Sequence, residues 1–169
     1  GHKIVLDYLR GLVQSDRRFH AYLFIGKRGV GKTTVARAWA HAILGSPLVS
    51  SPDYQEVLPE NGHISIETVR SINAFVSQKP FAASCKVVVI KDAHTLQAAG
   101  SDALLKTLEE PRGDRLLILT AEHPDLLPQT VISRVALVPF GLVSERDIAQ
   151  YLEREFQDCS AQQRDVAAA

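Results

Sequence analysis

The chain has 169 residues, of which 46% are hydrophobic, and its 19 Lys and Arg residues balance its 19 Asp and Glu residues. A chain of this length can bury one hydrophobic core, and a net charge of zero excludes a global field that would attract nucleic acid. Cys85 and Cys159 form no C-x-x-C pair, so we expect a cytoplasmic protein without a disulfide framework. No apolar run could span a bilayer, so we expect one main fold without a membrane partner.

The first half of the chain alternates between predicted helices and strands. Apolar residues that recur every three or four positions mark the helices, and short apolar runs mark the strands. In chain order the elements are a helix at 5–13, a strand at 21–25, a helix at 31–44, a short strand at 55–58 and a helix at 66–76.

The second half continues this alternation. It has a β-branched strand at 86–90, a helix at 98–110 that Pro111 ends, and a strand at 116–120. Strands that alternate with helices of ten or more residues require crossover connections. The sequence therefore predicts an α/β fold, a doubly wound parallel sheet with helices on both faces.

Residues 141–169 carry helical patterns alone. Ser144 is the expected N-cap of a helix at 145–156, and a second helix begins at Ser160. We expect residues 1–140 to form the main domain and residues 141–169 to be the beginning of a small helical lid. The chain contains no Met and ends within a predicted helix, which indicates a fragment of a longer protein.

A phosphate-binding loop is predicted at residues 26–33, whose sequence G-K-R-G-V-G-K-T fits G-x-x-x-x-G-K-[ST] between a predicted strand and a predicted helix. Glycines let backbone N–H groups surround phosphates at the positive end of the following helix. Lys32 would contact the β- and γ-phosphates of ATP, and the Thr33 hydroxyl would bind Mg²⁺. The alternative is a glycine-rich turn without a ligand. The expected nucleotide contacts are Gly26, Lys27, Arg28, Gly29, Val30, Gly31, Lys32, Thr33 and Thr34.

The strand at 86–90 should supply the second half of such a site. ATP hydrolysis by this class of protein needs a carboxylate at the end of a neighbouring buried strand to hold the metal. Lys91 stands at that position, and its positive charge opposes Mg²⁺ binding. Asp92 is either a substitute ligand near the nucleotide or a solvated or helix-capping carboxylate. His94 has no acid-base partner in the sequence, so we assign it no role.

Two sequence strings resemble one family. They are K-D-A-H-T-L at 91–96 and D-A-L-L-K-T-L-E-E-P at 102–111, and they are similar to strings in the AAA+ subunits of bacterial clamp loaders. The resemblance extends from the Gly-His start through L-L-P at 126–128 and the Ser133-Arg134 pair to the lid. It implies a P-loop AAA+ fold whose parallel sheet has five strands.

The resemblance also implies roles for single residues. Arg134 would be an arginine finger that reaches the γ-phosphate bound by a neighbouring subunit. Thr120 would lie near the position of the polar residue called sensor 1. Residues 46–53 hold none of the zinc-binding cysteines of many family members, so no zinc is expected. The family's sensor 2 is not recognisable before Ala169.

Within the family, a chain that lacks the acid at residue 91 resembles the delta-prime subunit more than gamma/tau, which carries Asp-Glu there. The resemblance then implies a subunit of a DNA polymerase III clamp loader that takes part in ATP-dependent loading of the sliding clamp, binds ATP and has weak or no hydrolysis of its own. Its partners would be gamma/tau and delta subunits in a hetero-pentameric ring, with the sliding clamp and primer-template DNA contacted through the complex.

Two other functions compete with this interpretation. The first is an active AAA+ motor ATPase that resembles gamma/tau or another replication or repair ATPase, with Asp92 as metal ligand. The second is a P-loop small-molecule kinase or GTPase, which would need a substrate lid or a base-specificity motif that the sequence does not show. Direct DNA binding has little support because Lys27, Arg28 and Lys79 are scattered along the chain.

Overall fold

The computed structural model describes residues 2–13, 18–110, 114–145, 147 and 149. These residues form a five-stranded sheet with helices on both of its faces. The helices are α1 (Lys3–Val13), α2 (Lys32–Leu44), α3 (Ile66–Ser77), α4 (Ala98–Glu109) and α5 (Gln129–Ile132). The strands are β1 (Ala21–Ile25), β2 (Tyr54–Val57), β3 (Lys86–Ile90), β4 (Arg115–Ala121) and β5 (Ala136–Pro139).

The strand order is β2-β3-β4-β1-β5, and every neighbouring pair is parallel. The carboxyl ends of β1, β3 and β4 therefore lie side by side at one edge of the sheet. Strands β3 and β4 are buried along their whole length because helices cover both faces, which explains their continuous apolar sequence. The doubly wound α/β fold that the sequence predicts is confirmed.

The core is divided between the two faces of the sheet. In β1, Leu23 points to one face and packs with the buried residues of α3 and α4, whereas Tyr22 and Phe24 point to the other and pack with α1 and α2. Trp39 of α2 meets the Tyr22 ring edge-on, with centroids 4.9 Å apart, and is stacked with the Phe24 ring at 6.2 Å. Its indole N–H donates to Leu9 O of α1 at 3.1 Å. The helix before the phosphate-binding loop and the helix after it are thereby joined.

A buried ion pair links the segment before the edge strand β2 to the start of its neighbour β3. The Asp53 carboxylate lies just before β2 and is fully buried, and it accepts backbone N–H bonds of 2.7–2.9 Å from Phe81, Ala82 and Ala83. The ammonium of Lys86, the first residue of β3, lies 3.4 Å from the same carboxylate. Burial alone would raise the pKa of Asp53, but these donors outweigh it and lower the pKa to about 2.

Residues 141–169, the expected beginning of a helical lid, are described only in part. The helix expected at 145–156 and the one from Ser160 lie outside the described residues, except for Glu145, Asp147 and Ala149. The Ser144 hydroxyl accepts the N–H of Asp147 at 3.1 Å, in the manner expected of an N-cap. Within the described part of the chain, no helix combines the length and the apolar character that crossing a membrane would require.

Candidate functional site

The phosphate-binding loop joins β1 to α2, the arrangement that its motif requires. Gly31 precedes the first turn of α2 with φ 96°, in the left-handed region that favours glycine. A Cβ on Gly26 would lie 2.5 Å from the carbonyl oxygen of Phe140, closer than atoms can approach. Glycine is therefore required at both ends of the loop, once for its conformation and once for space.

Lys32 is buried against its own loop. Its side-chain nitrogen donates to Gly26 O at 2.6 Å and to Lys27 O at 2.8 Å, and 6% of the residue is exposed. These bonds use two of its three donors, so one is left for a phosphate oxygen. Burial lowers the pKa of the Lys32 ammonium, and the carboxylates of Asp92 and Glu122 partly oppose this effect. The loop and its lysine thus fit a bound phosphate.

Asp92 and Thr120 are brought together at the carboxyl ends of β3 and β4. The backbone N–H of Asp92 donates to the Thr120 hydroxyl oxygen at 3.1 Å, and Thr120 is fully buried. Asp92 has φ 50°, a left-handed conformation that Asp tolerates better than most residues. The turn is closed by Thr95, whose hydroxyl donates to Asp92 O at 2.8 Å. The Thr120 hydroxyl keeps its own proton to donate.

Glu122 is a candidate that the sequence reasoning missed. It follows β4, which lies between β3 and β1, and the carbonyl of its neighbour Ala121 accepts the N–H of Gly26 at 3.2 Å. The half-buried carboxylate therefore lies beside the phosphate-binding loop, where its charge acts on Lys32. The available signal was its position directly after a buried parallel strand, the same signal that drew attention to Asp92.

Lys91 takes part in a different cluster, at the end of β2. Glu56 receives three bonds from Arg37 of α2, at 2.6, 2.9 and 3.1 Å, and one from the Tyr54 hydroxyl at 2.9 Å. Burial raises the pKa of Glu56, but the bonds from Arg37 and Tyr54, together with the nearby charge of Lys91, lower it below its ordinary value. Lys91 thus has an acidic neighbour on the β2 side of the sheet.

A cavity of about 680 Å³ lies between α1 and β5. Its lining is mainly apolar, with Tyr8, Leu137 and Leu142 among the residues that form it, and His2 at one side. The His2 ring donates from Nε2 to Val30 O of the phosphate-binding loop at 2.7 Å when that nitrogen carries the proton. The cavity therefore adjoins the loop. Sequence patterns gave no sign of it because its walls come from segments far apart in the chain.

Arg134 lies at the opposite edge of the sheet. It precedes β5 by two residues, and Ala136 at the start of β5 is in register with Tyr22 near the start of β1. The phosphate-binding loop begins four residues after Tyr22, roughly 13 Å farther along the strand direction. Because the strands are parallel, Arg134 lies near the amino ends of the strands, at the edge of the sheet away from its own chain's loop region.

Comparison with known proteins places this chain in a family. Residues 48–143 match the family model described as DNA polymerase III, delta subunit. Curated relatives of two kinds are similar: the DNA polymerase III subunit tau/gamma of Haemophilus influenzae is 30% identical over 90% of this chain and 24% of the relative, and the subunit delta' of Pseudomonas aeruginosa is 31% identical over 82% of this chain and 48% of the relative.

The solved structures agree on the fold. A DNA polymerase III gamma subunit-related protein of Thermotoga maritima superposes with a TM-score of 0.73 at 24% identity, over 83% of this chain and 47% of that one. The chain thus spans about half or less of the length of these relatives. Because the family model covers more than half of the sequence, the chain belongs to the DNA polymerase III delta subunit family, in agreement with its resemblance to clamp-loader subunits.

Proposed function

We propose that this chain is a delta-prime-like subunit of a bacterial DNA polymerase III clamp loader, one that binds ATP and hydrolyses it weakly or not at all. The observation that carries the proposal is the contrast between the two halves of the site. The phosphate-binding loop is complete and Lys32 is in place, whereas Lys91 directly follows β3, at the position where a metal-binding carboxylate is needed.

Nucleotide binding is attributed to the residues at the carboxyl edge of the sheet. The N–H groups at residues 26–34 and the third donor of Lys32 would hold the phosphates, and the base would enter the apolar cavity beside His2. The Thr33 hydroxyl and Asp92 are the side chains that would hold Mg²⁺, whose role is to neutralise phosphate charge. The Thr120 hydroxyl proton can reach toward the γ-phosphate while its oxygen holds Asp92.

The assembly role rests on Arg134. Its place at the edge of the sheet away from the phosphate-binding loop suits delivery to a nucleotide held by the next subunit. A guanidinium stays charged and presents a planar set of donors, so it can stabilise negative charge on a transferring phosphoryl group. The proposed neighbours are gamma/tau and delta subunits of a hetero-pentameric ring, through which the sliding clamp and primer-template DNA are contacted. Residues 1–140 would be the nucleotide-binding domain, and residues 141–169 the beginning of its lid.

A second candidate function is that of an active motor ATPase. It is favoured by Asp92 and Glu122, two carboxylates close enough to Lys32 to affect its pKa. Together they could replace the missing acid at residue 91, one toward the metal and the other toward water. Relatives named tau/gamma and relatives named delta' have nearly equal identity to this chain, so sequence similarity alone favours neither function.

The two functions differ in an experiment with the chain alone and in assembly. We would measure binding of a fluorescent ATP analogue and steady-state hydrolysis with Mg²⁺, first for the chain alone and then with the motor subunit added. We expect binding that Lys32→Ala abolishes, little turnover by the chain alone, and a turnover of the assembly that falls in Arg134→Ala. Turnover by the isolated chain that depends on Lys32, Asp92 and Glu122 would instead establish the motor function.

A further inference from the structure

Arg134 is held by contacts within its own chain. Its guanidinium forms an ion pair with Glu109 at 2.9 Å, and it donates to Thr130 O at 2.9 Å and to the Ser133 hydroxyl at 3.2 Å. The side chains of Arg134 and Glu109 are 35% and 52% exposed, so both can be approached from solution. Contacts from the end of α4 and from α5 thus fix the direction in which the guanidinium points.

Glu109 itself lies on a rigid part of the fold. The carbonyl before it, that of Leu108, receives a 2.9 Å bond from His20, and the carbonyl after it, that of Glu110, receives a 2.7 Å bond from Arg115 of β4. The Leu108 side chain is buried in the core. Two side chains from the sheet region therefore hold the backbone on both sides of Glu109, from which its carboxylate reaches Arg134.

Helix stability does not explain an acidic residue at this position. Glu109 is the last residue of α4, and carboxylates are unfavourable near the negative end of a helix. Its pairing with Arg134, 25 positions later in the chain, offsets that disadvantage. A half-exposed ion pair of this kind changes an equilibrium by at most about fivefold. Glu109 can thus orient the guanidinium without preventing an exchange of partners with a phosphate.

We propose that Glu109 is a positioning residue for Arg134, holding the guanidinium in the orientation from which it reaches the nucleotide of a neighbouring subunit. The inference rests on the proposed role of Arg134 in trans. Removing the carboxylate leaves Arg134 chemically intact but free to adopt other rotamers. The fraction of time that it spends in the productive orientation then falls, and so does the rate of hydrolysis in the neighbouring subunit.

The test uses the complex assembled with the motor subunit and Mg-ATP. We expect Glu109→Gln to lower kcat by up to about fivefold with KM nearly unchanged, and Glu109→Asp to restore part of the loss. Glu110→Gln is the matched control, because that residue contributes its carbonyl and not its carboxylate to the contacts above, and its kcat should equal that of the wild type. Urea unfolding followed by the fluorescence of Trp39 checks that each variant folds.

The double variant separates positioning from a general structural effect. If Glu109 acts through Arg134, the variant with both Glu109→Gln and Arg134→Ala has the same kcat as Arg134→Ala alone. Additive losses, or a Glu109→Gln kcat equal to that of the wild type while Arg134→Ala is impaired, would overturn the inference and leave the proposed function intact. An Arg134→Ala complex with wild-type kcat would overturn both.

Discussion

The replacement of Asp53 by Asn gives the sharpest test of how this fold is held together. One of the two carboxylate oxygens would become an NH₂ group that faces backbone N–H donors, so at least one of the three backbone bonds is lost. Lys86 would also lose its buried counter-charge. Breaking a buried pair from one side costs about 3–5 kcal/mol, a large part of the roughly 5–15 kcal/mol that stabilises a domain.

The same carboxylate makes this effect depend on pH. Its pKa of about 2 in the folded chain lies below the ordinary value of 3.8, so its ionised form is stabilised by folding. That contribution, about 2 kcal/mol, is present above pH 4 and is lost as the pH falls toward 2. The difference in stability between wild type and Asp53→Asn should therefore be about 3–5 kcal/mol at pH 6 and smaller by about 2 kcal/mol near pH 2.

Urea unfolding at several pH values measures this difference. Trp39 is the sole tryptophan and is 4% exposed, so its fluorescence reports on the core between α1, α2 and the sheet. Asp102→Asn, on the exposed surface of α4, is the control and should change the free energy of unfolding by less than about 0.5 kcal/mol. The reasoning is refuted if Asp53→Asn is no less stable than the control, or if its loss of stability is the same at pH 6 and near pH 2.

Three further experiments test other parts of the structure. Gly26→Ala should lower the free energy of unfolding by about 1–3 kcal/mol and abolish binding of the ATP analogue. Gly11→Ala, in open space on α1, is the control and should raise the free energy of unfolding by about 0.5–1 kcal/mol. Equal effects of the two variants in thermal unfolding would contradict the steric argument. Ser65→Ala removes the N-cap of α3 and should cost about 1 kcal/mol in urea unfolding, and an unchanged midpoint would count against the cap. Cys85 is buried, and burial raises the pKa of its thiol. In a variant with Cys159→Ser, a thiol reagent should therefore react with Cys85 only as fast as the chain unfolds. Rapid labelling of Cys85 in the folded chain would disprove its burial.

The elements that the sequence predicted well are those with strong local signals. The strands at 21–25 and 86–90 have the bounds that continuous apolar runs indicate, because helices cover both of their faces. The helix at 98–110 ends one residue earlier than expected, and the short strand at 55–58 begins one residue earlier, at Tyr54. The glycine-rich turn between β1 and α2 could be predicted because its glycines have local conformational and steric causes.

What the sequence did not reveal depends on contacts between distant segments. Strand β5 has four residues with alternating burial and ends in Pro139, so it lacks the apolar run that marked the other strands. The place of Glu122 beside Lys32 follows from strand order, which local patterns do not specify. The pair of Glu109 and Arg134 likewise arises only when α4 and α5 pack together. Local sequence patterns thus indicated the turn between β1 and α2, whereas the neighbours of Lys32 and Arg134 depend on how distant segments pack.

The sharp boundary between β3 and Lys91 has a consequence for how such subunits diverge. Residues 86–90 are fully buried, and residue 91 is half-exposed directly beyond them. Replacing Lys91 by an acid therefore changes the charge at this edge of the sheet and removes a positive neighbour of Glu56, while the packed residues of β3 keep their side chains. Under the proposed function, catalytic ability can therefore be lost or regained at residue 91 by a single substitution that leaves the buried core of β3 intact.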